Sequence, residues 1–204
     1  MRRSATICSG WVAAFGLTLA AGAAPAPVAT PLGAHRELLR SPARVATDAG
    51  GNIFVTEREL GQVIRFDAFG RCSIVKAGLA APLAIAVSRS GNIFLGEEKS
   101  GSVSVFDPTW NLLTKLGAGD GEFALPNFIA LDPAPGREAA YVSDSLANQI
   151  KVYTNGVLSF VFGGQGTNAG QFDFPAGVYV SPNGEVFVVD RENHRVQVFD
   201  LNGG

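Results

Sequence analysis

The sequence predicts an all-β chain of four radially arranged sheets, each of short antiparallel strands, and three observations predict it. A repeat is anchored on Pro42, Pro82, Pro126 and Pro175, at spacings of 40, 44 and 49 residues. Within it, "GNIFVTERELGQVIRFD" (51–67) matches "GNIFLGEEKSGSVSVFD" (91–107) at a uniform offset of 40, and "GEVFVVDRENHRVQVFD" (184–200) keeps the same register. Each copy also alternates apolar and polar positions, the period of a strand with one face on a neighbouring sheet. Repeats of this length indicate a propeller or a solenoid, and four antiparallel strands per unit make the blade of a β-propeller.

The elements of a unit follow in order. After each proline comes a short apolar run, "ARVAT", "LAIAV", "NFIAL" or "AGVYV", which predicts the first strand. Turn residues then precede the second strand, Gly51, Gly91 and Asn183-Gly184 in three copies. A polar hinge joins the second strand to a third that closes on Phe66, Phe106, Tyr153 or Phe199. Three copies continue into a fourth strand, "CSIVK", "LLTKL" or "LSFVF". The third copy, "AAYVSDSLANQIKVYTN" (139–155), fits after three extra residues in "PAPGREA". The blades are therefore expected at about 42–81, 82–125, 126–174 and 175–204.

Ahead of the repeats, Arg2 and Arg3 precede an uncharged run to Ala34 that ends in small residues around Ala21, Gly22 and Ala23. This is the layout of a secretory signal peptide over residues 1–23, and it predicts export to a periplasm or the extracellular medium. The alternative is an uncleaved membrane anchor, since Ile7 to Ala24 gives 18 mostly apolar residues, at the short end for a bilayer. Cleavage would leave fourteen basic against eighteen acidic side chains, a net charge of −4. Scattered basic residues on an acidic chain argue against nucleic acid as a partner, because phosphate binding needs a clustered basic face. Cleavage would also leave Cys72 as the single thiol, without an internal disulfide to make.

The stretch 175–200, "P.GVYVSPNGEVFVVDRENHRVQVFD", with the inter-blade "FGGQGTNAGQFDFP" (162–175), resembles the NHL repeat, and the resemblance covers nearly everything from Pro42 onward. It implies a propeller of the six-bladed kind, of which this chain would be a short or incomplete member. The pattern also implies that Asn193, His194 and Arg195 shape the turn into the third strand.

The hinges gather the charged chemistry. Asp190 aligns with Glu57, Glu97 and Asp144, so an acid ends the second strand of every copy, whether or not a histidine follows. An acid there is expected to accept backbone N–H bonds across the turn and tie the blade together, which gives Glu57, Glu97, Asp144, Asp190, Asn193 and His194 structural roles. With only two histidines in the chain, His35 and His194, a three-ligand catalytic zinc has no candidate set. A lyase of the NHL-like type with a zinc-centred site would need those missing ligands. "GGQGTNAG" fits no phosphate-binding pattern, and no G-x-S-x-G elbow occurs. The expectation is no catalytic residue and no cofactor, with calcium on the rim carboxylates as the alternative.

Arg58, Glu59, Glu98, Lys99, Arg191 and Glu192 share that rim, and its mixed charge suits a protein, peptide or envelope glycan. Arg44 is placed near the central channel as a further ligand contact. The rival readings are a degenerate lyase-like or lactone-hydrolase-like enzyme with a metal in the tunnel, and a module that self-associates through open blade edges.

The fourth copy reaches only three strands before "LNGG". Either residues 24–41 close the ring, "ELLR" supplying the outer strand, or the blades form an open arc that exposes apolar faces at its ends.

Overall fold

The computed structural model describes residues 38–137 and 139–204, and every regular element among them is a strand. The first sheet contains β1 (Pro42–Thr47), β2 (Ile53–Glu57), β3 (Gln62–Phe66) and β4 (Cys72–Ala77), in that order. The second contains β5 (Pro82–Val87), β6 (Ile93–Glu97), β7 (Ser102–Phe106) and β8 (Leu112–Lys115). The third contains β9 (Pro126–Leu131), β10 (Ala139–Asp144), β11 (Gln149–Thr154) and β12 (Val157–Gly163). The last has three strands, β13 (Pro175–Val180), β14 (Glu185–Asp190) and β15 (Arg195–Asp200). All pairings within the sheets are antiparallel, and the architecture is a four-bladed β-propeller rather than a six-bladed one.

The four prolines have a structural reason. Each opens a first strand opposite the hinge acid, as Pro42 opposite Glu57, Pro82 opposite Glu97, Pro126 opposite Asp144 and Pro175 opposite Asp190. In all four blades the register shifts beside that pair. Proline has no N–H to donate to a ladder, so it is tolerated at the first residue of a strand or at a bulge, and here it sits at both.

Period-two alternation sends the facing sides of successive sheets against one another. Phe54 and Val63 of the first blade meet Ile85, Ile93, Leu95 and Phe106 of the second. Val103, Val105 and Leu116 meet Ile129, Ala140 and Val142 of the third. Tyr141, Ile150 and Val152 meet Val178, Val180, Val186 and Val188 of the fourth. Each such side chain contributes about 1.5–3 kcal/mol when fully buried, so the three inter-blade layers supply most of the driving force. The inner strands stack in series, β1 on β5, β5 on β9 and β9 on β13, and no comparable packing returns from β13 to β1. The blades therefore form an arc.

Residues 1–23, expected from the sequence to be a signal peptide, and most of the segment 24–41 lie outside the described residues. Its described end does not serve the last blade. The Leu38 carbonyl accepts from Gln62 Nε2 at 3.1 Å and the Arg40 N–H donates to Glu57 at 2.8 Å, so Leu38–Arg40 is held on the first blade. Among the described residues, no fourth strand pairs with β15.

His194 belongs to a position with a demanding backbone. Four residues after the hinge acid, Gly61, Gly101, Asn148 and His194 all hold φ between 54° and 63°. A Cβ on Gly61 would stand 2.5 Å from the Leu79 carbonyl oxygen, and one on Gly101 would clash with that of Phe123. The left-handed region alone costs a non-glycine residue about 1–2 kcal/mol. Gly101→Ala is therefore expected to lose about 2–4 kcal/mol in urea unfolding, strain and clash together. His194→Gly should be neutral or stabilising by about 1 kcal/mol in the same measurement.

Candidate functional site at the hinge rim

The four hinge acids are buried, at 0–8% exposure. Their oxygens are directed at the connection that leads into their own blade. Glu57 accepts from the backbone N–H groups of Arg40 and Ser41 at 2.8–2.9 Å. Glu97 accepts from Ala80 at 2.7 Å, and Asp144 from Ala124 at 3.1 Å and Leu125 at 2.8 Å. Asp190 accepts from Asp173 at 2.8 Å. In each case the donor lies one or two residues before the blade's proline, so the acid fixes where the first strand begins. Lys151, with Nζ 3.2 Å from Asp144, and Arg195, with Nε 2.8 Å from Asp190, balance two of the charges.

The fourth hinge is the most heavily bonded. Asp190 also receives Asn193 Nδ2 at 3.0–3.1 Å and Gln197 Nε2 at 3.0 Å. Asn193 Nδ2 reaches the Gly166 carbonyl at 2.8 Å, and Arg195 donates to the carbonyls of Thr167, Asn168 and Gln171 at 2.7–2.9 Å. The polar signature "DRENHRVQ" thus holds the glycine-rich inter-blade loop by its carbonyls. Burial pushes the Asp190 carboxyl up, but the Asp173 N–H and the Asn193, Arg195 and Gln197 side chains outweigh it and hold the group below the ordinary carboxylate range. His194 is exposed at the turn, and its backbone N–H bonds to the Arg191 carbonyl at 3.1 Å.

The other rim candidates are on the surface and largely paired among themselves. Arg58 grips Glu98 with two bonds of 2.5 and 2.8 Å, joining the first two blades. That hydrogen bond, ahead of the opposing effect of burial, lowers the Glu98 carboxyl. Glu59 lies 3.6 Å from Arg40, and Arg191 bonds to its neighbour Glu192 at 2.8 Å while its guanidinium stacks 4.7 Å from the Phe174 ring centre. Lys99 is exposed. Exposed pairs of this kind contribute only about 0–1 kcal/mol each, so they hold the rim in shape without dominating its stability.

Arg44 donates to Asn127 Oδ1 at 2.8 Å and lies 5.8 Å over the Phe128 ring, spanning from the first blade to the third. Asn127 in turn donates to Ser145 Oγ at 3.0 Å, and Ser145 donates to the Pro175 carbonyl at 2.5 Å. This relay is absent from the sequence reading because its residues break the repeat: Asn127 stands where the other copies have Ala43, Leu83 and Ala176. The reading also missed a cavity of about 270 Å³ between the second and third blades, lined by Ser88, Arg89, Pro133 and Arg137. Buried Asp132 sits in its wall, accepting from the Ala134 N–H at 2.8 Å with Arg137 Nε 3.1 Å away. The extra residues in "PAPGREA" were its signal.

Among the described residues, no three His, Cys, Asp or Glu side chains converge to hold a metal ion, and the rim carboxylates considered for calcium bond instead to backbone and arginine. What these groups do together is order the turns and connections of a repeat. Residues 172–199 match the NHL repeat model. This chain carries an NHL repeat in a β-propeller. A 42-residue stretch is 50% identical to the B-box type zinc finger protein ncl-1 of Caenorhabditis elegans, covering 21% of this chain and 5% of that one. The propeller also superposes on a chain of a nidogen/laminin complex with a TM-score of 0.63 at 20% identity, over 82% of this chain and 62% of that one. On virginiamycin B lyase from Staphylococcus aureus the TM-score is 0.64 at 16% identity, over 80% and 53%. The chain thus spans a small part of the curated relative and little more than half of these solved chains. At such identities the likeness shows the fold, which carries a lyase in one neighbour and a protein complex in another.

The depressed Asp190 sets the sign of a pH effect. A carboxyl whose folded pKa lies below its unfolded value of 3.8 stabilises the fold fully above that value and loses the contribution as pH falls toward the folded pKa. Asp190→Asn is expected to cost about 1.5–3 kcal/mol at pH 7, the worth of a charge-assisted buried hydrogen bond. Urea titrations should show the difference from the parent shrinking below about pH 4, the ordinary carboxylate range.

Proposed function

We propose that this chain is an exported, non-catalytic NHL-type propeller that serves as a binding scaffold for a protein, a peptide or an envelope glycan. One observation carries the reading: the buried carboxylates that chemistry at this rim would draw on are committed to backbone N–H groups, as Glu57 is to Arg40 and Ser41 and Asp190 to Asp173. The remaining polar groups, Arg58, Glu59, Glu98, Lys99, Arg191 and Glu192, are surface side chains of mixed sign on a rigid frame. Rigid strands presenting exposed Arg and mixed charges are the means of recognition, since arginine is enriched at binding hot spots. Export rests on the basic start and apolar run of residues 1–23, and the acidic balance of the remainder speaks against nucleic acid.

The test is binding to arrayed peptides and envelope glycans, with the triple variant Arg58→Ala, Lys99→Ala, Arg191→Ala beside the parent. The expected result is a ligand that the variant binds about tenfold or more weakly, equivalent to ~1.4 kcal/mol, with the melting temperature unchanged. Equal binding by both proteins would remove the rim from the function. A stoichiometric metal in the purified protein, found together with turnover of a substrate, would replace the scaffold by an enzyme.

A further inference from the structure

In the first blade the turn between the first two strands is closed by an acid and an amide four residues apart. Asp48 Oδ1 accepts from the Asn52 N–H at 2.9 Å, and Asp48 Oδ2 accepts from Asn52 Nδ2 at 2.7 Å. The turn after β7 uses the same device, with Asp107 Oδ2 accepting from Asn111 Nδ2 at 3.0 Å. In the second and third blades the pair at the first turn is divided. The second keeps the amide, Asn92, but has Ser88 in place of the acid. Among the described residues Asn92 bonds to Ser88 through its backbone alone, the N–H donating to Ser88 Oγ at 3.0 Å and the carbonyl accepting from the Ser88 N–H at 2.8 Å. The third keeps the acid, Asp132, but Ala139 stands in the place of the amide. With the extra residues of "PAPGREA" between them, Asp132 Oδ1 accepts from the Ala134 N–H at 2.8 Å instead. Asp132 Oδ2 stays buried without a hydrogen bond among the described residues, because Arg137 Nε, 3.1 Å away, is out of line. The two halves of the divided pair line one cavity, the space of about 270 Å³ between the second and third blades, together with Phe94 and Leu131.

We propose that this cavity binds a single pyranose ring, one sugar unit of a glycan. The site is separate from the hinge rim, since Asn92 precedes β6 while the hinge acid Glu97 ends it, and it uses none of the rim residues. The divided pair selects the ligand. A buried acceptor without a donor calls for a partner, and a hydroxyl both donates one hydrogen bond and accepts others. Neighbouring hydroxyls of one ring can therefore donate to Asp132 Oδ2 and accept from Asn92 Nδ2. A carboxylate or phosphate has no hydrogen to give Oδ2. An ammonium group would meet a charge that Arg137 already balances and would leave Nδ2 without an acceptor. Ligand pockets are mostly apolar with a few placed polar groups, and the C–H face of a pyranose suits Phe94 and Leu131. The volume lies just under the about 300 Å³ at which small-ligand pockets begin, which sets the occupant at one ring. Oδ2 has almost no contact with solvent, so the hydroxyl reaches it as the Arg137 side chain, 51% exposed, turns aside.

Amide NMR spectra of the isotope-labelled chain, titrated with glucose, galactose, mannose and N-acetylglucosamine, test this. At least one sugar should shift the amides of Asn92, Phe94, Ala134 and Arg137, with a dissociation constant on the order of 1 mM. The rim variant Arg58→Ala, Lys99→Ala, Arg191→Ala should respond as the parent does, which separates this site from the rim. Ser88→Asp supplies Asn92 with the acid that Asn52 has in Asp48. It should weaken the sugar about fivefold or more while the melting temperature holds or rises, so that lost binding is not lost folding. Asp132→Asn, which puts a donor where the sugar needs an acceptor, should weaken it by a similar factor. Absence of shifts with all four sugars, shifts confined to the hinge rim, or a Ser88→Asp chain that binds as the parent does would each overturn the proposal.

Discussion

The structure depends on a buried carboxylate at the end of each second strand. Its oxygens take the backbone N–H groups just ahead of the proline that opens the blade, at 2.7–3.1 Å in the four copies. Those donors lie in irregular connections between sheets, where no ladder partner exists for them, and an unpaired buried N–H costs about 1–3 kcal/mol. Proline then supplies a first strand residue without a donor of its own. Acid and proline act together: one satisfies the chain as it arrives at the blade, the other needs nothing as the bulge turns it into the sheet. This explains why both recur in every copy while the residues between them vary, and why glutamate serves in two blades and aspartate in two.

That constraint also separates structure from recognition at the rim. Glu57, Glu97 and Asp190 are fixed in place by the N–H groups that they accept from, and at Asp190 those donors outweigh burial and hold the carboxyl below its ordinary range. The side chains next to these acids in sequence, Arg58 and Glu98 or Arg191 and Glu192, lie at the surface and pair with one another. Binding at such a surface can change through those outer residues without disturbing the buried acids, the division expected of a scaffold whose loops carry function.

Much of this was legible in the sequence, because a repeat states its constraints four times. The strands and their antiparallel order follow from residues that recur in register. The unrepeated features were hidden. The Arg44–Asn127–Ser145 relay uses positions where the other copies carry different residues, so no pattern marks it. The direction of the hinge bonds, back to the connection in every blade and into the turn as well where the Glu59 N–H reaches Glu57 at 3.1 Å, depends on how the chain enters a blade, which alternation does not encode. Closure was equally illegible. Blade faces of Val, Ile and Phe suit a neighbour on either side, and only the packing of β13 on β9 without return to β1 distinguishes an arc from a ring.

The most direct test of the hinge account is native-state hydrogen exchange at the backbone amides of Ser41, Ala80, Leu125 and Asp173. These amides lie outside every strand, and surface loops exchange through small local fluctuations. If the carboxylates hold them as described, they will exchange only with the opening of their blades, as slowly as the central strands. Exchange at the rate of exposed turns would mean that the acids do not anchor the connections, and the account of the fold and of its rim would fail together.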